Sequence, residues 1–93
     1  DEDPPVVERE DGSLLISGAA TADLIEDRLG MKPPAERDYS TVAGFCLSVL
    51  KHLPETGERF DHDGWRFEVI DMDGRKIDKL LVTRRPRKPK ADD

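Results

Sequence analysis

The stretch from Asp63 to Val82 constrains the fold more than any other part of this chain. In its first half, large apolar residues alternate with charged ones, in the order Trp65, Arg66, Phe67, Glu68 and Val69. A period of two is typical of a β-strand with one buried face. Asp73-Gly74 follows and predicts a turn, because glycine adopts positive φ at little cost. The apolar residues 77 and 80–82 then predict a returning strand.

The register of this predicted hairpin stays open. A two-residue loop at 73–74 would place Glu68 opposite Lys79, whereas a bulged loop would place Val69 opposite Ile77. In either register the turn accounts for the acidic residues around it, namely Asp71, Asp73 and Asp78. We therefore do not read these carboxylates as a catalytic or metal site.

The rest of the chain predicts the order β-β-α-α-β-β-β. The other predicted elements are strands at 6–10, 13–17 and 58–62, and helices at 22–29 and 41–52. Because strands and helices do not alternate, we expect an α+β fold with a largely antiparallel sheet and two helices on one face. We expect Thr21 to cap the first helix and Ser40 or Thr41 the second, with Gly30 ending the first.

We predict three segments: a linker at 1–5, one small domain at 6–83 and a disordered basic tail at 84–93.

Gly18 and Gly44 predict places where the backbone passes another group closely. The expected core comprises Leu14, Ile16, Leu24, Leu29, Tyr39, Val42, Phe45, Leu47, Val49, Leu50, Phe60, Trp65, Phe67, Val69, Ile77 and Leu81.

Charge and cysteine content exclude some classes of function. The net charge of −6 combines −9 over residues 1–83 with +3 over residues 84–93. An acidic body repels phosphates and so disfavours nucleic acid as a partner. The single cysteine, Cys46, fits a reducing cytosol, and its apolar neighbours predict a buried thiol. No apolar run reaches the roughly 20 residues of a membrane span, and the abrupt start at Asp1 suggests a fragment of a longer protein.

Two clusters deserve comparison with metal sites. Asp61-His62-Asp63, with His52, offers imidazole and carboxylate ligands for a transition metal. However, adjacent residues at a strand end cannot all point one way, so a solvated turn is the favoured interpretation. Asp71-Met72-Asp73-Gly74 is similar to the start of a calcium loop but lacks the closing glutamate. We expect no metal site.

The sequence evidence for a catalytic nucleophile or a phosphate-binding motif is weaker than that for a metal site. No G-x-G-x-x-G or phosphate loop occurs, and Ser17 to Thr21 is the one local candidate for binding a phosphate. The serines Ser13, Ser17, Ser40 and Ser48 lack a histidine pattern typical of nucleophilic catalysis. The basic tail is expected to be solvated, with an anionic lipid surface as its alternative contact.

Several motifs in a fixed order resemble one known family. They are Asp11-Gly12-Ser13, Ser17-Gly18-Ala19-Ala20, Leu29-Gly30, the segment Asp38 to Phe45, Leu53-Pro54, Gly57, Phe60 and the segment Phe67 to Ile77. The chain from about Val6 to Val82 resembles the transporter-associated domain of the CorC/HlyC type. In hemolysin-like and magnesium/cobalt-efflux-related bacterial proteins, that domain follows a pair of CBS domains, often with an N-terminal membrane domain.

The resemblance implies a small α+β fold related to the FAD-binding (PCMH-like) module of some flavin oxidases. It also implies a place on the cytoplasmic side of the bacterial inner membrane and a regulatory role in ion transport. The family has no firmly assigned catalytic residues, so we carry over no catalytic, cofactor-binding or metal residue. Tyr39, Thr41 and Gly44 match the family pattern and are interpreted as structural.

Three hypotheses follow. The first is a non-catalytic regulatory domain that contacts the adjacent CBS and membrane domains and also forms homodimers, with no cofactor. The second is a flavin adenine dinucleotide or nucleotide-binding sensor. The third is a metal-sensing module using His62 and its neighbouring aspartates.

Overall fold

The computed structural model describes residues 4–32 and 37–85 of the 93-residue chain. The described part contains the predicted order of elements: β1 (Val6–Glu8), β2 (Leu14–Ser17), α1 (Ala22–Leu29), α2 (Val42–Leu50), β3 (Arg59–His62), β4 (Trp65–Asp73) and β5 (Lys76–Arg84). Residues 33–36 and most of the predicted tail, 86–93, lie outside the described residues.

The five strands form one antiparallel sheet in the order β1-β2-β5-β4-β3. The last strand in sequence, β5, is therefore the central strand of the sheet. Directly paired residues of β2, β5 and β4 are buried on one face: Leu14, Ile16, Leu80, Val82, Phe67 and Val69. The buried residues of both helices belong to the same core, so the predicted α+β fold with both helices on one face is confirmed.

Both predicted registers of the β4–β5 hairpin are wrong. The turn consists of Gly74 and Arg75, between the paired residues Asp73 and Lys76. The pairing is irregular between Val69 and Met72, where Ile70 of β4 and Asp78 of β5 are both skipped, so the register is the same on either side. The register therefore follows from a two-residue turn that lies one position later than the predicted turn at 73–74.

This register decides which residues of β5 are buried. Leu80 and Val82 are fully buried, whereas Leu81, predicted in the core, is half-buried on the opposite face. Leu47 was also expected in the core but is 38% exposed. Because residues 80–82 are all apolar, the sequence fits burial of residues 80 and 82 as well as burial of residue 81. Only the pairing of β5 with β2 and β4 decides which of them face the core.

The other departures from the predicted core are smaller. Ile25, which belongs to the apolar stripe of the first helix but not to the expected core, is buried, and so is Met31, which the sequence pattern did not single out. Trp65 is half-buried against the core, and its indole nitrogen donates to the carbonyl of Leu29 at 3.2 Å. The largest side chain therefore joins β4 to the end of α1 instead of filling the centre of the core.

Gly18 and Gly44 confirm the predicted close approaches. A Cβ atom on Gly18 would lie 2.0 Å from the carbonyl oxygen of Ile77, and one on Gly44 would lie 2.8 Å from the Cβ atom of Tyr39. Real Cβ atoms essentially never approach so closely. These two glycines let the corner after β2 pass over β5 and let α2 begin against residue 39.

The helix ends agree partly with the predictions. Helix α1 has the predicted bounds and ends at Gly30 with a left-handed φ of 72°. Thr21 precedes α1 in an extended conformation, but its side chain makes no capping hydrogen bond. Thr41 does cap α2, since its hydroxyl accepts from the Gly44 amide at 3.1 Å. Helix α2 is shorter than predicted because Lys51 adopts a left-handed φ of 63°.

The sheet extends slightly beyond the predicted domain bounds. Arg84 belongs to β5, and the amide of Arg85 donates to the Gly64 carbonyl at 3.0 Å, although both residues were assigned to the tail. At the other end, the Pro5 carbonyl accepts from the Ser17 amide at 2.9 Å. The predicted linker and tail therefore both contribute residues to the sheet.

Candidate interaction surface

The residues of the strongest metal-like cluster do not converge. The Asp61 carboxylate binds the guanidinium groups of Arg66 and Arg85, at 3.0 and 3.1 Å. His62 packs its ring edge-on against Phe45, with 5.1 Å between centroids, and therefore faces the helices. Asp63 occupies the β3–β4 turn with a φ of 55°. In the part of the chain that the structure describes, no group of three or more metal-ligating side chains is placed to hold an ion.

His52, the fourth member of that predicted cluster, has a structural partner of its own. Its ring lies within hydrogen-bond distance of Glu58 and of the Leu50 carbonyl at the end of α2. The Glu58 carboxylate raises the pKa of the imidazole. The pair links the end of α2 to the residue before β3. Because both side chains are partly exposed to solvent, this ion pair contributes little to stability.

Asp71 and Asp78 approach each other across the β4–β5 hairpin. A hydrogen bond to the Asp71 carboxyl raises the pKa of Asp78 above its usual range. The Lys79 ammonium lies 4.0 Å from the Asp78 carboxylate, at the limit of an ion pair. The sequence attributes these carboxylates to the turn alone and does not predict their contact, which lies where Ile70 and Asp78 are skipped in the β4–β5 pairing.

The backbone amides of Ser17, Gly18, Ala19, Ala20 and Ala22 donate to protein acceptors. The amides of Ser17, Gly18 and Ala22 donate to the carbonyls of residues 5, 78 and 40, and the Ala20 amide donates to the Ser17 carbonyl. The Ala19 amide donates to the Ser17 hydroxyl at 3.2 Å. A phosphate cradle needs free amides pointing at the anion, so this corner is built to join elements of the fold.

The nucleophile candidates are also accounted for. Burial raises the pKa of the Cys46 thiol to about 12, so the reactive thiolate is scarce at neutral pH. The Ser13 hydroxyl donates to the Asp11 carboxylate at 2.6 Å, and the Ser48 hydroxyl donates to the Phe45 carbonyl at 2.7 Å. These contacts stabilise a turn and a helix.

Tyr39, Thr41 and Gly44 together build the start of α2, in agreement with their structural interpretation. Tyr39 stacks edge-on against Phe45 at 5.8 Å between centroids and lies under the Arg37 guanidinium. Arg37 in turn binds two carboxylates of α1, those of Asp23 and Glu26. The segment before α2 is thereby fastened to α1.

Helix α2 leaves an apolar side uncovered. Its sequence, VAGFCLSVL, contains Ser48 as its one polar side chain. Val42, Phe45 and Cys46 are buried, while Leu47 is 38% exposed. A helix without a polar face is usually buried on all sides. The expected core included every large apolar residue of α2, so the exposed side was not predicted.

A groove of about 490 Å³ runs beside Leu47. Its floor and walls include small or apolar residues of the Gly18 corner, α2 and β5, namely Gly18, Ala19, Ala43, Gly44, Leu47 and Ile77. Its rim carries both signs of charge, from Asp73, Arg75, Lys76 and Asp78 of the β4–β5 hairpin. We call this groove together with Leu47 the α2 groove. No helix within the described ranges is long and apolar enough to cross a membrane.

Comparisons with known proteins agree with this architecture. The family model of the transporter associated domain, CorC_HlyC, matches residues 7–86. The CorC_HlyC domain of a Xylella fastidiosa hemolysin, solved in complex with Mg²⁺ and Mn²⁺, is 44% identical with a TM-score of 0.78; the match covers 89% of this chain and 100% of that one. The associated region of a Mg²⁺ and Co²⁺ transporter from Neisseria meningitidis is 26% identical with a TM-score of 0.79, over 87% and 99% of the two chains.

The matched curated proteins are much longer than this chain. The polyamine export protein of Escherichia coli is 35% identical over 80 residues, which are 85% of this chain and 18% of that protein. The chain thus spans about a fifth of the length of the first curated relatives that it matches. The match over residues 7–86 and the shared fold lead to one conclusion: the chain belongs to the CorC_HlyC transporter associated domain family.

Proposed function

We propose that this domain is a non-catalytic regulatory domain of a longer CBS-containing, hemolysin-like protein, in which it modulates the transport of magnesium or cobalt. The observation that carries the proposal is the family match over residues 7–86 of a chain that spans about a fifth of its relatives. In the full-length protein the domain lies on the cytoplasmic side of the inner membrane and contacts the adjacent CBS and membrane domains.

The arrangement of polar groups supports a role in contact and not in catalysis. The thiol of Cys46 is buried, Ser13 and Ser48 are bound to neighbouring groups, and His52 and His62 face different partners. A catalytic site needs a nucleophile and a base within hydrogen-bond reach. By contrast, the exposed apolar side of α2 is a feature of an interaction surface.

A flavin-binding sensor is not favoured as the alternative. In the corner from Ser17 to Thr21, which was the local candidate for the phosphates, the amides of residues 17–20 donate to acceptors within the fold. The relation to the FAD-binding fold stays a prediction, and so does association into homodimers, which sedimentation of the chain at several concentrations would test.

The experiment is deletion of this domain from the full-length protein, followed by measurement of cellular magnesium and cobalt. We expect altered metal content, or altered tolerance to external cobalt, at unchanged abundance of the remaining protein in the membrane. Transport indistinguishable from that of the intact protein would contradict the regulatory proposal.

A second measurement tests cation sensing by the domain itself. The related Xylella domain was solved with Mg²⁺ and Mn²⁺, and the E. coli relative is a polyamine export protein. Calorimetric titration of this chain with Mg²⁺, Mn²⁺ and a polyamine should show only weak binding. A dissociation constant near or below about 1 μM that rises on Asp78→Asn would favour a cation sensor at the Asp71–Asp78 pair.

A further inference from the structure

We propose that the α2 groove is the surface on which the preceding domain of the same polypeptide docks, by inserting an apolar segment beside Leu47. This inference deepens the proposed function and rests on it, because it assumes that the domain acts through contact with its neighbours. The occupant is an apolar segment of the same chain, in contrast to a second copy of this domain or a small ligand.

The apolar composition of α2 favours contact of its outer side with another part of the protein. Eight of its nine residues are apolar or glycine, and only Ser48 is polar. Leu47 is 38% exposed, Leu50 is half-buried outside the core cluster, and Leu53 just beyond the helix is 42% exposed. Three leucines in contact with water within seven residues cost free energy that a docked partner would recover.

The groove beside Leu47 has the shape of a docking site. Small residues line it, and Gly18 and Gly44 occupy positions where a Cβ atom would collide with the backbone of Ile77 or with Tyr39. The glycines hold the corner against β5 and the start of α2 against residue 39, so the floor of the groove consists of backbone and small side chains. Side chains of an incoming segment can enter this groove without displacing an element of the fold.

The path of the chain selects the preceding domain as the occupant. Pro5 is bonded to Ser17, which is followed directly by Gly18 and Ala19 in the wall of the groove. Any polypeptide that precedes Pro4 therefore reaches the sheet at this end. The curated relatives extend over about five times the matched length, so that a tethered neighbour begins a short distance from the groove and gains a high effective concentration there.

The charged rim of the groove would orient the docked segment. Asp73 and Asp78 lie on the same rim as Arg75 and Lys76, the Asp78 carboxyl lies close to that of Asp71, and the Lys79 ammonium is 4.0 Å from Asp78. A basic side chain of the neighbour would bind this carboxyl pair. Charged groups at a rim orient a partner more than they strengthen its binding.

Thiol labelling tests the proposal with a matched control. Cys46 is buried and its thiol pKa is about 12, so it contributes little labelling in the folded protein. New thiols are placed one at a time by Leu47→Cys and by Val7→Cys, at positions that are 38% and 40% exposed. Val7 lies on β1, away from the groove. Maleimide labelling is compared between the isolated 93-residue chain and the full-length protein in which other cysteines are replaced.

In the isolated chain both variants should be labelled at similar rates. In the full-length protein we expect Leu47→Cys to be labelled at least about tenfold more slowly than Val7→Cys. This factor is expected when docked molecules outnumber undocked ones by about ten to one, because only the undocked molecules expose residue 47. Equal rates in the full-length protein would overturn the proposal. Protection of residue 47 that rises with the concentration of the isolated chain would also overturn it, in favour of a second copy.

The deletion experiment keeps the two proposals apart. If residue 47 stays accessible and deletion of the domain still alters transport, the docking surface is wrong and the regulatory function stands. If residue 47 is protected and transport is unchanged by deletion, the docking surface stands and the regulatory function is wrong.

Discussion

Replacement of Gly18 by alanine tests the central packing relation of this fold. Gly18 is buried where the corner after β2 crosses the start of β5. Its amide donates to the Asp78 carbonyl, and its carbonyl accepts from the Ala43 amide, both at 2.9 Å. The residue therefore joins β5 to the start of α2 through its backbone alone.

The expected cost follows from the geometry. An added Cβ atom would lie 2.0 Å from the Ile77 carbonyl oxygen, well inside the 3.4 Å at which ordinary contact begins. Because the obstacle is backbone, relief requires that the corner and β5 move apart. Overpacking of this kind costs about 1–3 kcal/mol, and weakening two hydrogen bonds costs about 0.5–1.5 kcal/mol each. We expect Gly18→Ala to lower the free energy of unfolding by about 3 kcal/mol, a large share of the stability of a small domain.

Urea denaturation of the isolated chain measures this effect. Trp65 is the single tryptophan and its fluorescence reports unfolding. With a slope of about 1 kcal/mol per molar urea for a small protein, the midpoint should fall by about 3 M. The CorC_HlyC chain from Xylella is covered over its full length by the match, so that relative was solved as the domain without its neighbours.

Gly12→Ala provides the control. A Cβ atom at Gly12 would meet nothing within 4 Å, although the residue has a φ of 89°. Its cost should be confined to backbone strain of about 1 kcal/mol. If Gly18→Ala destabilises the chain no more than Gly12→Ala does, the close approach between the corner and β5 is not what the structure indicates.

Three further predictions concern single side chains. Thr41→Ala removes the acceptor that caps α2 and should cost about 1 kcal/mol in thermal unfolding, whereas Thr21→Ala should cost clearly less because that side chain makes no capping bond. Cys46 should react with a thiol reagent at pH 8 only as fast as the protein unfolds; rapid stoichiometric labelling would show that the thiol is not buried. The Glu58 carboxylate raises the pKa of His52, and the Glu58 pKa is lowered by a backbone amide and by the His52 ring. The pair therefore stabilises the fold between about pH 4.5 and 6.5 and loses this contribution as the pH rises through the raised His52 pKa. In an NMR titration Glu58→Gln should lower the pKa of His52, and an unchanged value would refute the contact.

The sequence predicts elements well where local chemistry decides them. Helix α1 begins and ends at the predicted residues because Gly30 supplies the left-handed residue at its end. The turn expected at the strand end near Asp63 occurs, with positive φ at Asp63 and Gly64, as in the turns that match the twist of a hairpin. Gly44 was identified as a close approach because glycine inside a helix otherwise destabilises it, and Gly18 because it begins a corner of small residues.

The predictions are wrong where contacts between distant parts of the chain determine the strand pairing or the burial of a residue. The β4–β5 turn lies at Gly74-Arg75 and not at 73–74, and the pairing of β5 with β2 and β4 sets the buried face of residues 80–82. No local pattern in three consecutive apolar residues carries that information. Likewise, the apolar outer side of α2 looks like core in the sequence because the pattern does not show whether a neighbour covers it.

The central position of β5 has a consequence for biosynthesis. This strand is made last, yet it pairs with both β2 and β4 and separates them in the sheet. Until β5 leaves the ribosome, β2 and β4 each present an unpaired edge, and the β2–β5 ladder joins residues more than sixty positions apart in the chain. Such long-range pairing forms slowly, and open edges invite pairing with other chains. A nascent chain that stalls within β5 is therefore expected to be a target for aggregation and proteolysis, because no native sheet can form without that strand.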